Sequence, residues 1–253
     1  MTQPRRPMPR WLAPLLVGVV GFAVVHPFDA ECRASFARFA GWLSGDLRRE
    51  AQAWQQYGQG MFIIVLAFVV WLLDPARRRR LLDLGLALAI AQVVSTGGKL
   101  LIGRPRPREY FNDPWTFLTP WGEYPIKIDG QYRLVHAWDT HAGANTDLWS
   151  MPSSHTLFAA VVSVFIATLY PRLRWLVLAL VLVVGSGRIM FDAHWPTDVI
   201  VGGAAGWLIG RCVVSPYAGV RGLDWLWKRL VNSSATPAYP ALAAADRARQ
   251  GED

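Results

Sequence analysis

The chain has 253 residues, 53% of them hydrophobic, with 13 tryptophans and a formal net charge of +8. That length would serve one or two soluble domains, but the apolar residues are gathered into long runs, which excludes an ordinary soluble fold and points to a membrane protein. The positive charge does not call for nucleic acid, because the basic residues fall between the runs as membrane topology distributes them.

Arg5, Arg6 and Arg10 precede the first apolar run, roughly residues 11–26. A basic start and a short apolar run resemble a signal peptide, yet the run ends in Val24-Val25-His26-Pro27 with no small-residue cleavage pattern, so the segment is read as a retained span. Its cleavage is the alternative, and it would leave the orientation of the later spans unchanged. Phe36, Phe39, Trp42, Leu43, Leu47 and Trp54 then recur at mostly three- and four-residue steps among charged residues. This spacing predicts an amphipathic helix lying on the outer membrane surface or packed on the protein's own external loop.

Further apolar runs cover roughly 59–74, 81–102, 154–170, 174–191 and 197–213, each near the ~20 residues that cross a ~30 Å hydrocarbon core. Arg77 to Arg80, Arg172 and Arg174, and Arg211, Arg221, Lys228 and Arg229 fall on one side if the spans alternate. The positive-inside rule makes that side, and both termini, cytoplasmic. Residues 103–150 form an external loop rich in proline, charge and aromatic residues, among them Trp115, Phe117, Trp121, Tyr124, Tyr132, Trp138 and Trp149. They suit either a cap that admits a lipid head group or an interfacial belt that only anchors the loop. The segment after Val231 reads as a mobile cytoplasmic tail. Cys32 and Cys212 lie at opposite membrane faces and do not suit a disulfide.

The expected fold is thus all-α: a polytopic six-transmembrane-helix bundle with an external amphipathic helix and an external loop cap. One domain spans 1–231, with its motif-bearing core at 59–213 and the tail at 232–253.

Ionisable groups at membrane depth are costly, so those present there are candidates for function. Three clusters stand at the external ends of spans. Lys99 is followed by Arg104, Arg106 and Arg108; Pro152-Ser153-Ser154-His155 opens the fourth span; Arg188 is followed by His194 and Asp198. External arginines run against the charge bias of the rest of the chain, and an anionic ligand explains them. Pairing with Glu109 or Asp113, or snorkelling of Lys99, is the plainer alternative.

Ser153 and Ser154 suit a helix start, where hydroxyls cap backbone amides and the helix dipole favours anions. His26, His136 and His141 read as packed or hydrogen-bonded residues. Asp198 lies one turn from His194 and can reach its imidazole, fixing the tautomer and leaving the other nitrogen to attack, while His155 can serve as the acid.

These residues resemble the three-part signature of the type 2 phosphatidic acid phosphatase superfamily, which includes lipid phosphate phosphatases, glucose-6-phosphatase and vanadium haloperoxidases. Lysine, six residues and Arg-Pro is met by Lys99 through Arg106-Pro107; Pro-Ser-Gly-His by Pro152-Ser153-Ser154-His155; Ser-Arg, five residues, His, three residues and Asp by Gly187-Arg188 through His194 to Asp198. Ser154 stands where glycine is usual, and Gly187 where serine is usual. The resemblance implies that Lys99, Arg106, Ser153, Ser154 and Arg188 bind phosphate, that His194 attacks phosphorus, that His155 protonates the leaving oxygen and that Asp198 orients His194.

The function expected is hydrolysis of a phosphomonoester or pyrophosphate of a membrane lipid, without cofactor or metal, at the external face of a bacterial cytoplasmic membrane. Undecaprenyl pyrophosphate, phosphatidylglycerol phosphate, phosphatidic acid and lipid A are candidate substrates. Alternatives are a lipid phosphotransferase sharing the phosphohistidine, a haloperoxidase and a transporter. A metal site at His155, His194 and Asp198 is disfavoured by the adjacent cations.

Overall fold

The structure is a computed structural model and describes residues 9–107, 113–128, 130–139 and 144–251. Ten α-helices are found among them: α1 (Leu12–Val25), α2 (Asp29–Trp42), α3 (Gly45–Trp54), α4 (Gly60–Leu73), α5 (Leu81–Ile102), α6 (Ser154–Leu169), α7 (Arg174–Met190), α8 (Pro196–Val213), α9 (Ala218–Leu230) and α10 (Tyr239–Gly251). Arg108, Glu109 and His141, considered above from the sequence, lie outside the described residues.

Three described helical stretches, Leu12–Trp42, Pro75–Ile102 and Pro171–Met190, are long and apolar enough to cross a membrane; counting two bent helix pairs as single spans raises the number to five. Ser154–Leu169 is apolar but shorter. The outward faces are unlike those of a protein made for water: on α4, Met61, Ile64, Phe68 and Leu73 are exposed, and on α1, Val19, Val20 and Val24. In water each large apolar side chain so placed would forgo about 1.5–3 kcal/mol of burial, whereas lipid imposes no such cost.

Helix α6 occupies the centre. It packs on α8, α7 and α5, and α8 packs in turn on α1. Leu157, Val161, Val162, Phe165 and Leu169 of α6 meet Val184 of α7, Ala87 and Ala91 of α5 and Ile209 and Val213 of α8 in one core. The α6/α8 seam is close because three glycines face it. A Cβ on Gly202 would stand 2.5 Å from the Ser153 carbonyl oxygen, one on Gly210 2.6 Å from Val164 Cβ, and one on Gly206 against the Leu157 carbonyl. Small residues at four-residue steps are how helix backbones approach in a membrane, where hydrophobic drive between helices is weak.

Three features depart from what the sequence leads one to expect. The expected single amphipathic helix over residues 36–54 is divided between α2 and α3, because Leu43 turns extended and Ser44 restarts the helix, its hydroxyl accepting from Leu47 N. The fold is not wholly helical, since β1 (Tyr124–Ile128) and β2 (Gln131–Val135) pair antiparallel in the loop. That hairpin has its own small core of Tyr124, Ile126, Val135, Ala137 and Leu148, with Leu118 and Trp149 against it.

Residues 239–251, which composition places in a mobile tail, form α10, whose buried Asp246 accepts from Arg77 Nε at 3.1 Å and Tyr217 Oη at 2.8 Å. Arg80 is buried, bonded to Asp83 at 2.6 Å and to the Val214 carbonyl at 3.0 Å. Cys32 and Cys212 are both free.

Replacing Gly206 with valine should force α6 and α8 apart and cost about 1–3 kcal/mol or more. Thermal unfolding in detergent measures it. Gly222→Val on α9, where an added Cβ would meet nothing within 4 Å, should change the midpoint far less.

Candidate active site

The three motif clusters converge at one end of the helices. Lys99 is in the last turn of α5, Ser154 and His155 begin α6 after the N-cap Ser153, Arg188 is in the last turn of α7, His194 lies in the turn between α7 and α8, and Asp198 is in the first turn of α8. His155 lies within electrostatic reach of Arg188, His194, Lys99 and Arg106, and Asp198 lies beside His194.

His194 is 2% exposed. Its Nδ1 donates to the backbone carbonyl of Ser150 at 2.6 Å. A carbonyl can only accept, so this bond fixes the proton on Nδ1 and leaves the Nε2 lone pair available. Sequence spacing gives that task to Asp198, but its nearer oxygen is 3.7 Å from Nδ1, beyond hydrogen-bond range. The carboxylate is committed elsewhere: Oδ1 accepts from Arg104 at 2.7 Å, and Oδ2 from the Trp195 amide at 2.8 Å and the Ser150 hydroxyl. Asp198 therefore acts on the imidazole through Ser150 and through its field. Burial pushes the His194 pKa down from 6.5 to about 4; Asp198 opposes that shift, and the charges of Arg106 and Arg188 add to it.

Arg104 holds this assembly from behind. The guanidinium is 0% exposed and bridges Asp198 on one side to Asp29 on the other, each at 2.7 Å. It also donates to Thr197 Oγ1 at 2.8 Å and the Pro114 carbonyl at 2.7 Å, and lies over the rings of Phe117 and Trp195. Asp29 in turn accepts from the Thr197 amide at 3.0 Å, and His26 Nδ1 lies 3.1 Å from Asp29 Oδ2. Among the described residues Arg104 thus has a structural partner set in Asp29 and Asp198 rather than the Asp113 that sequence proximity suggests. Asp29, Ser150 and Thr197 do not stand out in the sequence; buried Asp29 beside a packed histidine is the one available signal. His26 is packed as expected, stacked on Phe22, and His136 bonds the Gly122 carbonyl and stacks on Trp138.

The cationic side is held by short polar contacts. Lys99 Nζ donates to Ser154 Oγ at 2.5 Å, and that hydroxyl also meets Ser95 Oγ at 2.7 Å. The serine at the position of the usual glycine thus positions the lysine. Arg106 donates to the carbonyls of Thr146 at 2.9 Å and Ala193 at 3.2 Å. Arg188 donates to Gln55 Oε1 at 3.0 Å. Ser153, expected to cap α6 with its hydroxyl, bonds Thr156 Oγ1 at 3.1 Å instead and makes no side-chain cap. Its amide is held by the Asp198 carbonyl at 3.1 Å, which joins the starts of α6 and α8. His155 Nε2 meets the side-chain amide of Gln59. Beside it a cavity of about 540 Å³ runs between α4, α5 and α6, lined by Ile63, Ile64, Leu88 and Phe158 as well as Gln92 and Ser154. Among the described residues, no three His, Cys, Asp or Glu side chains are grouped to hold a metal ion.

The sequence profile of the PAP2 superfamily matches residues 80–219. The chain belongs to the PAP2 superfamily. Among PAP2 relatives, phosphatidylglycerophosphatase B of Escherichia coli K12 is 29% identical over 125 residues, covering 47% of this chain and 43% of that protein. The phosphatidylglycerophosphatase B of Haemophilus influenzae is 25% identical over 193 residues, 60% of this chain and 71% of that protein. The match to the Escherichia coli protein thus takes in less than half of that protein's length. Two solved structures share the fold, each with a TM-score of 0.51. Aquifex aeolicus LpxE is 17% identical over 72% of this chain and 93% of its own. A transmembrane PAP2-type phosphatidylglycerolphosphate phosphatase from Bacillus subtilis is 16% identical over 88% of this chain and 100% of its own.

Two outcomes test this PAP2 site. Arg104→Met should leave two buried carboxylates facing each other and cost about 3–5 kcal/mol, read as a lowered unfolding midpoint and loss of folded protein in detergent. The imidazole of His194 should titrate near pH 4 rather than 6.5 by ¹⁵N NMR, with His194→Asn for assignment. The sign for stability follows: between those pH values the unfolded chain binds a proton that the folded one refuses, so stability falls as pH drops through that window.

Proposed function

We propose that the chain is a membrane lipid phosphatase that acts through a phosphohistidine on His194. The observation that carries this reading is the bond from His194 Nδ1 to the Ser150 carbonyl, which leaves Nε2 as the nucleophilic atom near Arg106 and Arg188, with Lys99 near His155. In this reading the three cations and the α6 N-terminus, with Ser154, hold the phosphoryl oxygens, while Ser153, its amide on Asp198 and its hydroxyl on Thr156, frames that end of the helix. Nε2 attacks phosphorus, the N–P bond forms as the P–O bond to the lipid breaks, and His155 gives its proton to the departing oxygen. Water then attacks the phosphohistidine, His155 takes the proton, and phosphate leaves with His194 restored. Asp198, through Ser150, opposes the positive charge on the substituted ring.

The lipid nature of the substrate is supported by the exposed apolar faces and by the apolar cavity that reaches His155. Phosphatidylglycerol phosphate is the first candidate, because relatives in Escherichia coli, Haemophilus influenzae and Bacillus subtilis carry names for that activity. Six spans, cytoplasmic termini and a site at the outer face of a bacterial inner membrane complete the proposal. Their support is the separation of the motif end of the helices from the end bearing Arg77 to Arg80, Arg172 and Arg174.

Phosphate release from phosphatidylglycerol phosphate, undecaprenyl pyrophosphate, phosphatidic acid and lipid A by the purified protein with EDTA tests this directly. Wild type should release phosphate, and His194→Ala should lose at least ~10³ of the turnover while its unfolding midpoint is retained. Near-normal turnover in that variant would remove His194 from the nucleophile role. Release only with an added acceptor lipid would make the chain a phosphotransferase.

A further inference from the structure

The third motif departs from its usual form at Gly187, immediately before Arg188. The space over that glycine is occupied. A Cβ at 187 would stand 3.0 Å from Gln55 Cγ, 3.1 Å from Cδ and 3.3 Å from Nε2, tight enough that the glutamine would have to shift. Gln55 lies at the C-terminal end of α3 and is 6% exposed. Its Oε1 accepts from Arg188 Nη1 at 3.0 Å, and its Nε2 reaches back to the Ala51 carbonyl at 3.4 Å.

We infer that Gln55 is a positioning residue for Arg188, and that Gln55 and Gly187 form one unit: the bare backbone at 187 admits a glutamine side chain from a distant segment, which orients the arginine in place of a local side chain. The inference rests on the reading of Arg188 as a phosphate ligand. Three further contacts fix the segment that carries Gln55. Tyr57 Oη bonds Ser163 Oγ of α6 at 2.8 Å, Gly58 sits against the His155 carbonyl, and Gln59 meets His155 Nε2. A side chain so anchored can hold a long, rotamer-rich arginine in one orientation, which lowers the ordering that phosphate binding must otherwise bring about.

The experiment measures inorganic phosphate as a competitive inhibitor of lipid hydrolysis by the full chain, with unfolding midpoints followed in parallel. Gln55→Ala should weaken phosphate binding about 10- to 100-fold, the worth of a hydrogen bond to a charged group, with the midpoint little changed. Gly187→Ser alone should weaken binding by displacing Gln55, and the double variant Gln55→Ala with Gly187→Ser should be less impaired than the two single losses combined. Additive losses, or a silent Gln55→Ala beside an Arg188→Ala that abolishes phosphate binding, would overturn the positioning role and leave Arg188 as a ligand. An Arg188→Ala that binds phosphate normally would instead remove the arginine from the site, and Gln55 with it.

Discussion

A single guanidinium between two carboxylates holds the motif end of this protein together. Arg104 leaves the end of α5, Asp29 opens α2 and Asp198 lies in the first turn of α8, so one buried cation ties three parts of the chain that are far apart in sequence. Such a triad is costly to desolvate and costly to break, which makes it a specifier of geometry more than a source of net stability. From it the remaining positions follow: Asp198 holds the Ser150 hydroxyl, the Ser150 carbonyl holds His194, and the Asp198 carbonyl holds the Ser153 amide.

The bundle supplies the frame in which that cation can be buried. Glycines at 202, 206 and 210 let α8 approach α6 backbone to backbone, so the starts of the two helices, which carry Asp198 and the Ser153-Ser154-His155 run, stand at the same level. The opposite end is closed by a second polar cluster, in which Arg77 and Arg80 meet Asp83 and Asp246 beneath Tyr217. Between the two, the outward surfaces are apolar and the interior is filled by aliphatic side chains.

What the sequence made legible was the chemistry carried by residue type. Lys99, Arg106, His155, Arg188, His194 and Asp198 are charged or titratable groups at the ends of apolar runs, and the structure brings them to one end of the helices. Less legible were roles set by contacts between remote segments. Nothing local to Ser150 says that its carbonyl will take the imidazole, and nothing near Gln55 announces an arginine at position 188. The pair Asp129-Gly130, between stretches in which Tyr124 and Ile126 alternate inward, was an available hairpin signal that aromatic composition obscured. The tail misled for a related reason: composition weighs Ala, Pro and Ser, whereas α10 docks through particular partners, Asp246 on Arg77 and Arg80 and the Tyr239 amide on Asp224.

The carbonyl that holds His194 also settles the regiochemistry of anything that reacts there. A carboxylate partner could share or surrender a proton and let the ring turn over between its two tautomers. A backbone carbonyl can do neither, so one ring nitrogen keeps its hydrogen throughout and an incoming electrophile meets only the other. Any adduct on this ring is therefore a single isomer, substituted at the nitrogen remote from the main chain, and a reagent that distinguishes the two isomers of modified histidine would see only that one.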